Sequence, residues 1–254
     1  MPENYYLWVM DTYCGNTGRI VFPRFLTVAC IAITLQLMSP VYGQDVYAAA
    51  REKMVKYQIE GQGIRHKATL DAMRKVPRHL FVPFDLRAYA YDDGPLPIGY
   101  DQTISQPYMV AYMTETIRPT KAMKVLEIGA GSGYQAAVLA EIVDSVFTIE
   151  IVEPLGKQSS ALLKKLGYKN IKVSIGDGFA GWPEHGPYDA IIVTAAAVDI
   201  PPPLAAQLKE GGRLVIPIGS PGSVQVLVLA TRVNGKLKQQ NLMSVRFVPF
   251  VREE

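Results

Sequence analysis

The chain has 254 residues, of which 49% are apolar and 19% charged, a composition that excludes a disordered chain and predicts a globular protein. Its 26 lysines and arginines nearly balance 23 aspartates and glutamates and form no basic cluster, which argues against a nucleic-acid partner. Both cysteines, Cys14 and Cys30, precede residue 31, and the three histidines are widely spaced, so we expect no metal site.

Residues 1–43 have the pattern of a secretory signal peptide. Arg19 and Arg24 precede a mainly apolar run of 14 residues, and residues 41–43 offer a cleavage site before Gln44. The run is too short to span a bilayer comfortably, so we expect no stable membrane association. Two alternatives stay open: an uncleaved anchor at a membrane interface, and an extension that results from a translation start placed too early.

Residues 44–119 are predicted to form a helical N-terminal subdomain with a substrate loop. Apolar residues recur at helical spacing from residue 46 until the glycines at 61 and 63, and a second helix is predicted over 67–75. The stretch 78–105 is rich in proline, glycine and aromatic residues and has no sustained period, so we expect an irregular, packed and functional segment. A third helix is predicted over 107–117.

Residues 120–254 are predicted to form a ligand-binding α/β domain, because short apolar runs alternate with helical segments. Runs of valine and isoleucine without alternation indicate strands buried on both faces. The expected fold is α/β, with a doubly wound, mostly parallel sheet. Its predicted strands are 124–129, 145–150, 171–176, 188–196 and 212–219, and its predicted helices 134–142, 154–166 and 202–209. Two last strands, 223–233 and 236–251, joined by an Asn-Gly turn, are expected to add an antiparallel edge.

The first strand of this domain leads into the sequence EIGAGSG, residues 127–133. Gly129, Gly131 and Gly133 stand at alternate positions between a strand and a helix, where backbone amides and a helix N-terminus face a ligand. A dinucleotide fingerprint needs glycine at the next position, which is Tyr134 in this chain. The pattern therefore favours a compact ligand without a pyrophosphate, while tight packing of helix against strand is the structural alternative.

Carboxylates mark the ends of three successive strands. Glu127 belongs to the first, and Glu150 ends the second, where it is placed to accept hydrogen bonds from both hydroxyls of a ribose. Asp177 follows the third, next to Gly178, where it is placed to meet the exocyclic amine of an adenine. Each acid alone is more often a solvated charge. Together they predict an adenosine ligand with a cationic or zwitterionic group attached, held near Glu127.

Five segments form a recognisable set: EIGAGSGYQAAVLAE, PLPIGYDQTISQPYMVAYM, GDGFAGWPEHGPYDAIIVTAAA, GGRLVIPIG and VRFVPF. Together they resemble the protein-L-isoaspartate O-methyltransferases, a family of class I S-adenosylmethionine-dependent enzymes. The resemblance runs from about residue 47 to residue 251, and the TISQP segment is not shared with methyltransferases in general. Ala130 departs from the family, in which threonine is common at this place, and the leader lies outside the family pattern.

The resemblance implies a Rossmann-like fold, S-adenosyl-L-methionine as cofactor, and isoaspartyl-containing proteins and peptides as substrates. The methyl group would pass to the free carboxylate of the L-isoaspartyl residue, whose ester then closes to a succinimide without the enzyme. The resemblance assigns Ser105 as the hydroxyl that bonds the attacking carboxylate, with Thr103 and Ile104 shaping the same pocket. Thr194 is a further residue predicted to line the substrate site. Gln225 is a further candidate for the ligand or substrate pocket, and the alternative is that it is an ordinary strand residue. Because a carboxylate is already ionised at neutral pH, no general base is needed, and alignment of the reactants would supply the catalysis.

Several alternatives stay open from the residues alone. Ser105 is also suited to cap the helix that begins at Pro107. The activity alternatives are a class I methyltransferase with a small-molecule acceptor and a catalytically silent module that binds an adenosine ligand. Segment 92–107 discriminates between acceptors, because a small-molecule enzyme needs no cleft for a peptide backbone. A nicotinamide-dependent oxidoreductase is disfavoured by Tyr134.

The sequence gives two opposed indications of location. The leader predicts export to the periplasm, whereas a cofactor that is made and recycled in the cytosol predicts a cytoplasmic enzyme. We adopt the cytoplasmic prediction on that chemistry and expect a monomer.

One further sequence feature concerns the chain itself. Asn234 precedes Gly235, and glycine offers little steric protection against deamidation. We therefore hypothesise that this site turns into isoaspartate, which would make the protein its own substrate.

Overall fold

The structure is a computed structural model that describes residues 45–220 and 222–252. The described residues from Val46 onward form one compact unit. The predicted leader, with both cysteines, lies outside the described residues, and the predicted division of the chain after residue 119 stays a prediction. Among the described helices, none combines the length and the apolar character needed to cross a bilayer.

The first described elements are helical, as predicted. An α-helix, Ala48–Lys53, continues as a π-helix, Met54–Ile59, and as a 3₁₀ turn, Glu60–Gln62. Gly63 ends this stretch with a left-handed φ of 106°, a conformation that costs glycine little. The helix Lys67–Lys75 matches its predicted bounds and stops where the residue before a proline avoids the helical region.

The stretch predicted to be irregular contains regular structure. Two 3₁₀ helices, Arg78–Phe81 and Phe84–Tyr89, precede a hairpin of two short antiparallel strands, β1 (Leu96–Gly99) and β2 (Gln102–Ile104). The prediction was therefore wrong for the hairpin. Its turn includes Tyr100 at a φ of 54°, which is uncommon for a residue other than glycine. Strands this short are not long enough to show an alternating pattern.

Seven strands form the main sheet. They are β3 (Lys124–Ile128), β4 (Ser145–Glu150), β5 (Ile171–Ile175), β6 (Tyr188–Val193), β7 (Leu208–Ile218), β8 (Gln225–Val233) and β9 (Lys236–Val245). Their spatial order is β5-β4-β3-β6-β7-β8-β9. The first five pair in parallel and the last two antiparallel. The predicted doubly wound, mostly parallel sheet with an antiparallel edge is confirmed.

Apolar cores cover both faces of this sheet. Val125 packs with the helices Pro107–Thr116 and Tyr134–Ala140, whereas its neighbour Leu126 packs in a second core with the short helix Pro202–Ala206. Successive residues of a strand point to opposite faces, so a strand between two helical layers must be apolar throughout. This arrangement explains the unbroken valine and isoleucine runs. The remaining helix, Glu153–Lys165, also contributes to the first core.

The structure corrects two element bounds near the C-terminus. The helix predicted over 202–209 ends at Ala206, because Leu208 pairs with Tyr188 and begins β7. The last strand ends at Val245 rather than continuing to residue 251. Residues 246–252, here called the C-terminal strap, leave the sheet. The strap is held by the backbone of Ala196, whose N–H donates to the Val248 carbonyl and whose carbonyl accepts from the Phe250 N–H, both at 2.8 Å.

Candidate active site

The strand order reverses between β3 and β6, which are neighbours in the sheet although β4 and β5 lie between them in sequence. In open α/β sheets, ligands bind at such a point, outside the carboxyl ends of the strands. A cleft lies there with about 790 Å³ of unfilled space, its open mouth included. It is lined by β2 and the loop after it, the glycine turn, the ends of β4 and β6, and the strap.

The glycine turn serves packing as well as ligand access. Gly129 has a φ of 94°, and a Cβ there would lie 2.4 Å from Oγ1 of Thr194. Gly129 and Gly131 line the cleft. Gly133 is not among the lining residues, and a Cβ there would meet Leu163 at 3.1 Å. The structural alternative of tight packing therefore describes Gly133, whereas Gly129 and Gly131 both line the cleft and allow close packing.

Glu150 holds the glycine turn in place. One carboxylate oxygen accepts the Gly131 N–H at 2.6 Å, and the other accepts the Val152 N–H at 2.9 Å. Glu150 lines the cleft while being only 5% exposed. Because a carboxylate has about four lone-pair sites, these two bonds leave acceptor capacity for ligand hydroxyls.

Glu127 is the most unusual group in the cleft wall. Its side chain is fully buried, the Thr148 hydroxyl donates to Oε2 at 2.5 Å, and Oε1 has no hydrogen-bond partner among the described residues. Burial raises the pKa of this carboxyl to about 8, against the opposing Thr148 hydrogen bond and with a smaller contribution from the nearby charge of Glu150. A buried acceptor without a partner is costly, so Oε1 points to a ligand that carries donors or positive charge.

The charge of the cleft agrees with that inference. Its described lining contains the carboxylates of Glu127 and Glu150 but no lysine or arginine. A cationic ligand is therefore favoured over one that carries a pyrophosphate.

Asp177 lies beside the cleft rather than in its lining. Its Oδ1 accepts the Phe179 N–H at 2.8 Å, and its Oδ2 pairs with Nε of Arg252 in the strap at 2.7 Å. Gly178 does line the cleft, and a Cβ there would lie 2.4 Å from Cγ2 of Ile128. The contact of Asp177 with an adenine stays a prediction, and the ion pair with Arg252 was not foreseen.

The predicted acceptor residues come together on the other side of the cleft. Thr103, Ile104 and Ser105 all line it, with Ile104 buried and Thr103 exposed. The helix Pro107–Thr116 has Gln106 as its N-cap and no side-chain capping hydrogen bond. The alternative role of Ser105 as the N-cap was therefore wrong, which leaves its hydroxyl for other partners in the cleft.

Thr194 and Gln225 both support the site, in different ways. Thr194 lines the cleft, and its hydroxyl lies 3.0 Å from the Ile128 carbonyl and 2.8 Å from the Gly129 carbonyl, to which it donates. Gln225 is buried and outside the lining, and its Oε1 accepts the Phe247 N–H at 2.8 Å. Gln225 thus anchors the strap, and its predicted contact with substrate stays a prediction.

Sequence reasoning missed the strap as part of the site. Val248, Pro249, Phe250 and Val251 line the cleft although they were predicted to continue a strand. The only available signal was the segment VRFVPF, which carries the family resemblance without showing where it lies.

Comparisons with known proteins agree with this geometry. A family model described as protein-L-isoaspartate(D-aspartate) O-methyltransferase matches residues 49–254. The protein-L-isoaspartate O-methyltransferase of Opitutus terrae is 61% identical over 204 residues, which cover 80% of this chain and 88% of that protein. Protein-L-isoaspartate O-methyltransferase 2 of Shewanella sediminis is 51% identical over 232 residues, covering 91% and 95% of the two chains.

Solved structures show the same likeness. A protein-L-isoaspartate O-methyltransferase superposes with a TM-score of 0.72 and 31% identity, covering 78% of this chain and 65% of that one. A Plasmodium falciparum chain described as a protein-L-isoaspartate O-methyltransferase, in complex with S-adenosyl-L-homocysteine, gives a TM-score of 0.69 with 25% identity, covering 80% and 99%. Since the family model spans most of the described residues and close relatives share more than half of the aligned sequence, the chain belongs to the protein-L-isoaspartate(D-aspartate) O-methyltransferase family.

Proposed function

We propose that the chain transfers a methyl group from S-adenosyl-L-methionine to the free carboxylate of L-isoaspartyl residues in damaged proteins or peptides, which begins their repair through a succinimide. The observation that carries this proposal is the buried, unpartnered Oε1 of Glu127 in the cleft of a family member. Once ionised, this carboxyl would pair with a cationic adenosine ligand at the point where the fold binds ligands.

The residues present fit S-adenosyl-L-methionine. Glu127 would hold its positively charged end, and Glu150 would accept from the ribose hydroxyls. The apolar side chains of Ile149, Val248 and Phe250 line the same cleft and would cover the adenine. When bound, the cofactor supplies an electrophilic methyl group on a sulfonium. Neither the lining charges nor Tyr134 suits a nicotinamide dinucleotide.

The contribution of the chain to methyl transfer is to align the acceptor. An isoaspartyl carboxylate is ionised at neutral pH, and so it attacks without help from a base. Ser105 would donate a hydrogen bond to this carboxylate and hold one oxygen toward the methyl group. Alignment of two reactants can be worth roughly 7 to 11 kcal/mol, and the strap that closes one side of the cleft would keep water out.

A peptide acceptor is supported by the hairpin at the cleft. Residues 102–105 of β2 and the following loop line it, and Thr103 is exposed at its edge. β2 is an edge strand of a two-stranded sheet, and such a strand offers backbone groups along which an extended peptide can bind, a feature for which a small-molecule acceptor has no use.

The proposal is tested by transfer of labelled methyl groups to two peptides that differ only in having isoaspartate or aspartate. The full chain and a chain that starts at Gln44 should both label the isoaspartyl peptide alone. Ser105→Ala should lower kcat by about 10-fold or more, the loss expected for one aligning hydrogen bond to a charged group, with cofactor affinity unchanged. Equal labelling of both peptides, or cofactor binding without labelling of either, would contradict the proposal.

Three finer statements belong to this proposal. The enzyme works in the cytoplasm, because its cofactor is made and recycled there, and it works as a monomer. It takes no nucleic acid, since the cleft lining is acidic. Cell fractionation with sequencing of the mature N-terminus tests the location against periplasmic export, and sedimentation tests the monomer. A processed periplasmic form or a stable dimer would refute the corresponding statement.

A further inference from the structure

The turn between β8 and β9 holds the single Asn-Gly pair of the chain. Val233 pairs with Lys236, so Asn234 and Gly235 form a two-residue hairpin loop. Their φ angles are 52° and 74°, which is the pattern of a type I′ turn. Both residues are exposed to solvent, so water has access to this turn in the folded protein.

An Asn-Gly pair can damage itself by a known chemical route. The Gly235 nitrogen, after losing its proton, forms a bond to Cγ of Asn234, and the bond from Cγ to the side-chain nitrogen breaks. That nitrogen takes up a proton and leaves as ammonia. Water then opens the resulting succinimide at either carbonyl, which gives aspartate or isoaspartate. The step that starts this route needs a Gly235 nitrogen that is able to lose its proton and turn toward the side chain.

In this structure the attacking nitrogen is already engaged. Glu210, in the neighbouring strand β7, reaches the turn with both carboxylate oxygens. Oε2 accepts the Gly235 N–H at 3.1 Å, and Oε1 accepts the Asn234 N–H. One side chain therefore binds both amides of the turn, including the one that would start the damage.

We propose that Glu210 protects Asn234 from conversion to isoaspartate by binding the backbone amides of the turn. A hydrogen bond to an anion opposes loss of the amide proton, because the nitrogen would become negative beside a negative carboxylate. The two bonds also hold the backbone of the turn, which must rotate before the ring can close. The site of modification is Asn234, and Glu210 is its protecting residue.

The position of the turn gives this protection a consequence for the cleft. Isoaspartate inserts one additional carbon into the main chain, here at the join of β8 and β9. At its other end, β8 starts with Gln225, whose side chain accepts the N–H of Phe247 in the strap. A change in the pairing of β8 with β9 that extended to Gln225 would displace the strap that lines the cleft.

The test compares four full-length proteins: wild type, Glu210→Gln, Glu210→Ala and Glu184→Gln. The last removes one exposed carboxylate elsewhere and is the matched control for charge. All are incubated for weeks in neutral buffer without S-adenosyl-L-methionine, so that no methylation occurs, and isoaspartate at residue 234 is measured by peptide mapping. Circular dichroism melts show that each variant is folded, as expected for exposed sites.

The expected order follows the number of acceptors left at the turn. Glu210→Gln retains one acceptor oxygen and should form isoaspartate about 3-fold faster than wild type, and Glu210→Ala about 10-fold faster, since each exposed hydrogen bond contributes about 0.5–1 kcal/mol. Glu184→Gln should match wild type. Equal rates in all four proteins would overturn the proposal. A slower rate in the Glu210 variants would also overturn it, because the carboxylate would then act as a base that promotes ring closure.

Discussion

Replacing Glu127 by glutamine should change how the stability of the ligand-free protein depends on pH. Burial raises the pKa of Glu127 from its ordinary 4.5 to about 8 in the folded protein. The folded state therefore binds a proton that the unfolded chain has already lost over this range. The stabilisation is fully present below about pH 4.5 and is lost as the pH rises through about 8.

The size of the effect follows from the width of that window. Stability should fall by about 1.4 kcal/mol per pH unit between the two pKa values. Between pH 5.5 and pH 7.5 the wild type should therefore lose about 3 kcal/mol of unfolding free energy relative to Glu127→Gln. The glutamine keeps an acceptor for the Thr148 hydroxyl, so the substitution removes the titration while leaving that hydrogen bond possible.

Urea unfolding at about pH 5.5, 6.5 and 7.5 measures the difference, because the shifts of groups that do not interact with Glu127 cancel when wild type and variant are compared. Glu184→Gln, an exposed change of the same charge, should leave the slope as in the wild type. Binding of S-adenosyl-L-methionine should also tighten with rising pH in the wild type, since the ionised carboxylate attracts a cation, and should lose this dependence in Glu127→Gln. Parallel stability curves for wild type and Glu127→Gln would refute the reasoning.

Two other substitutions test the turn and the strap. Gly129→Ala should destabilise the fold by about 2–4 kcal/mol, because it adds left-handed backbone strain to a clash with Thr194. Gly63→Ala, with a similar φ and open space around it, should cost only the strain. Equal losses of unfolding free energy in urea would show that the clash is relieved. Arg252→Ala should speed release of S-adenosyl-L-homocysteine by about 3- to 10-fold in stopped-flow measurements. The substitution removes the ion pair with Asp177 and the guanidinium that lies 3.5 Å from the centre of the Phe179 ring. Arg252→Lys should fall in between, and an unchanged release rate in the alanine variant would mean that the strap is held by its backbone bonds alone.

Local pattern was enough to predict the main architecture and part of the site. Buried strands can be predicted from unbroken apolar runs. The role of the glycine turn and its flanking acids can be predicted because strand, turn and helix follow one another along the chain. Glu127 and Glu150 lie in the cleft wall for this reason, since the carboxyl ends of neighbouring parallel strands meet at one edge of the sheet.

The sequence by itself determined the fold class, the glycine turn and the acidic cleft, because each depends on residues within one or two adjacent elements. Only the tertiary structure decided the place of the strap, the anchoring of Phe247 by Gln225 and the pairing of Asp177 with Arg252. The partners in that ion pair lie 75 residues apart in the chain. Their meeting depends on the path of the strap after β9, which is set by hydrogen bonds to Ala196. Periodicity describes neighbours along the chain, and it carries no information about contacts that form only when distant segments pack together.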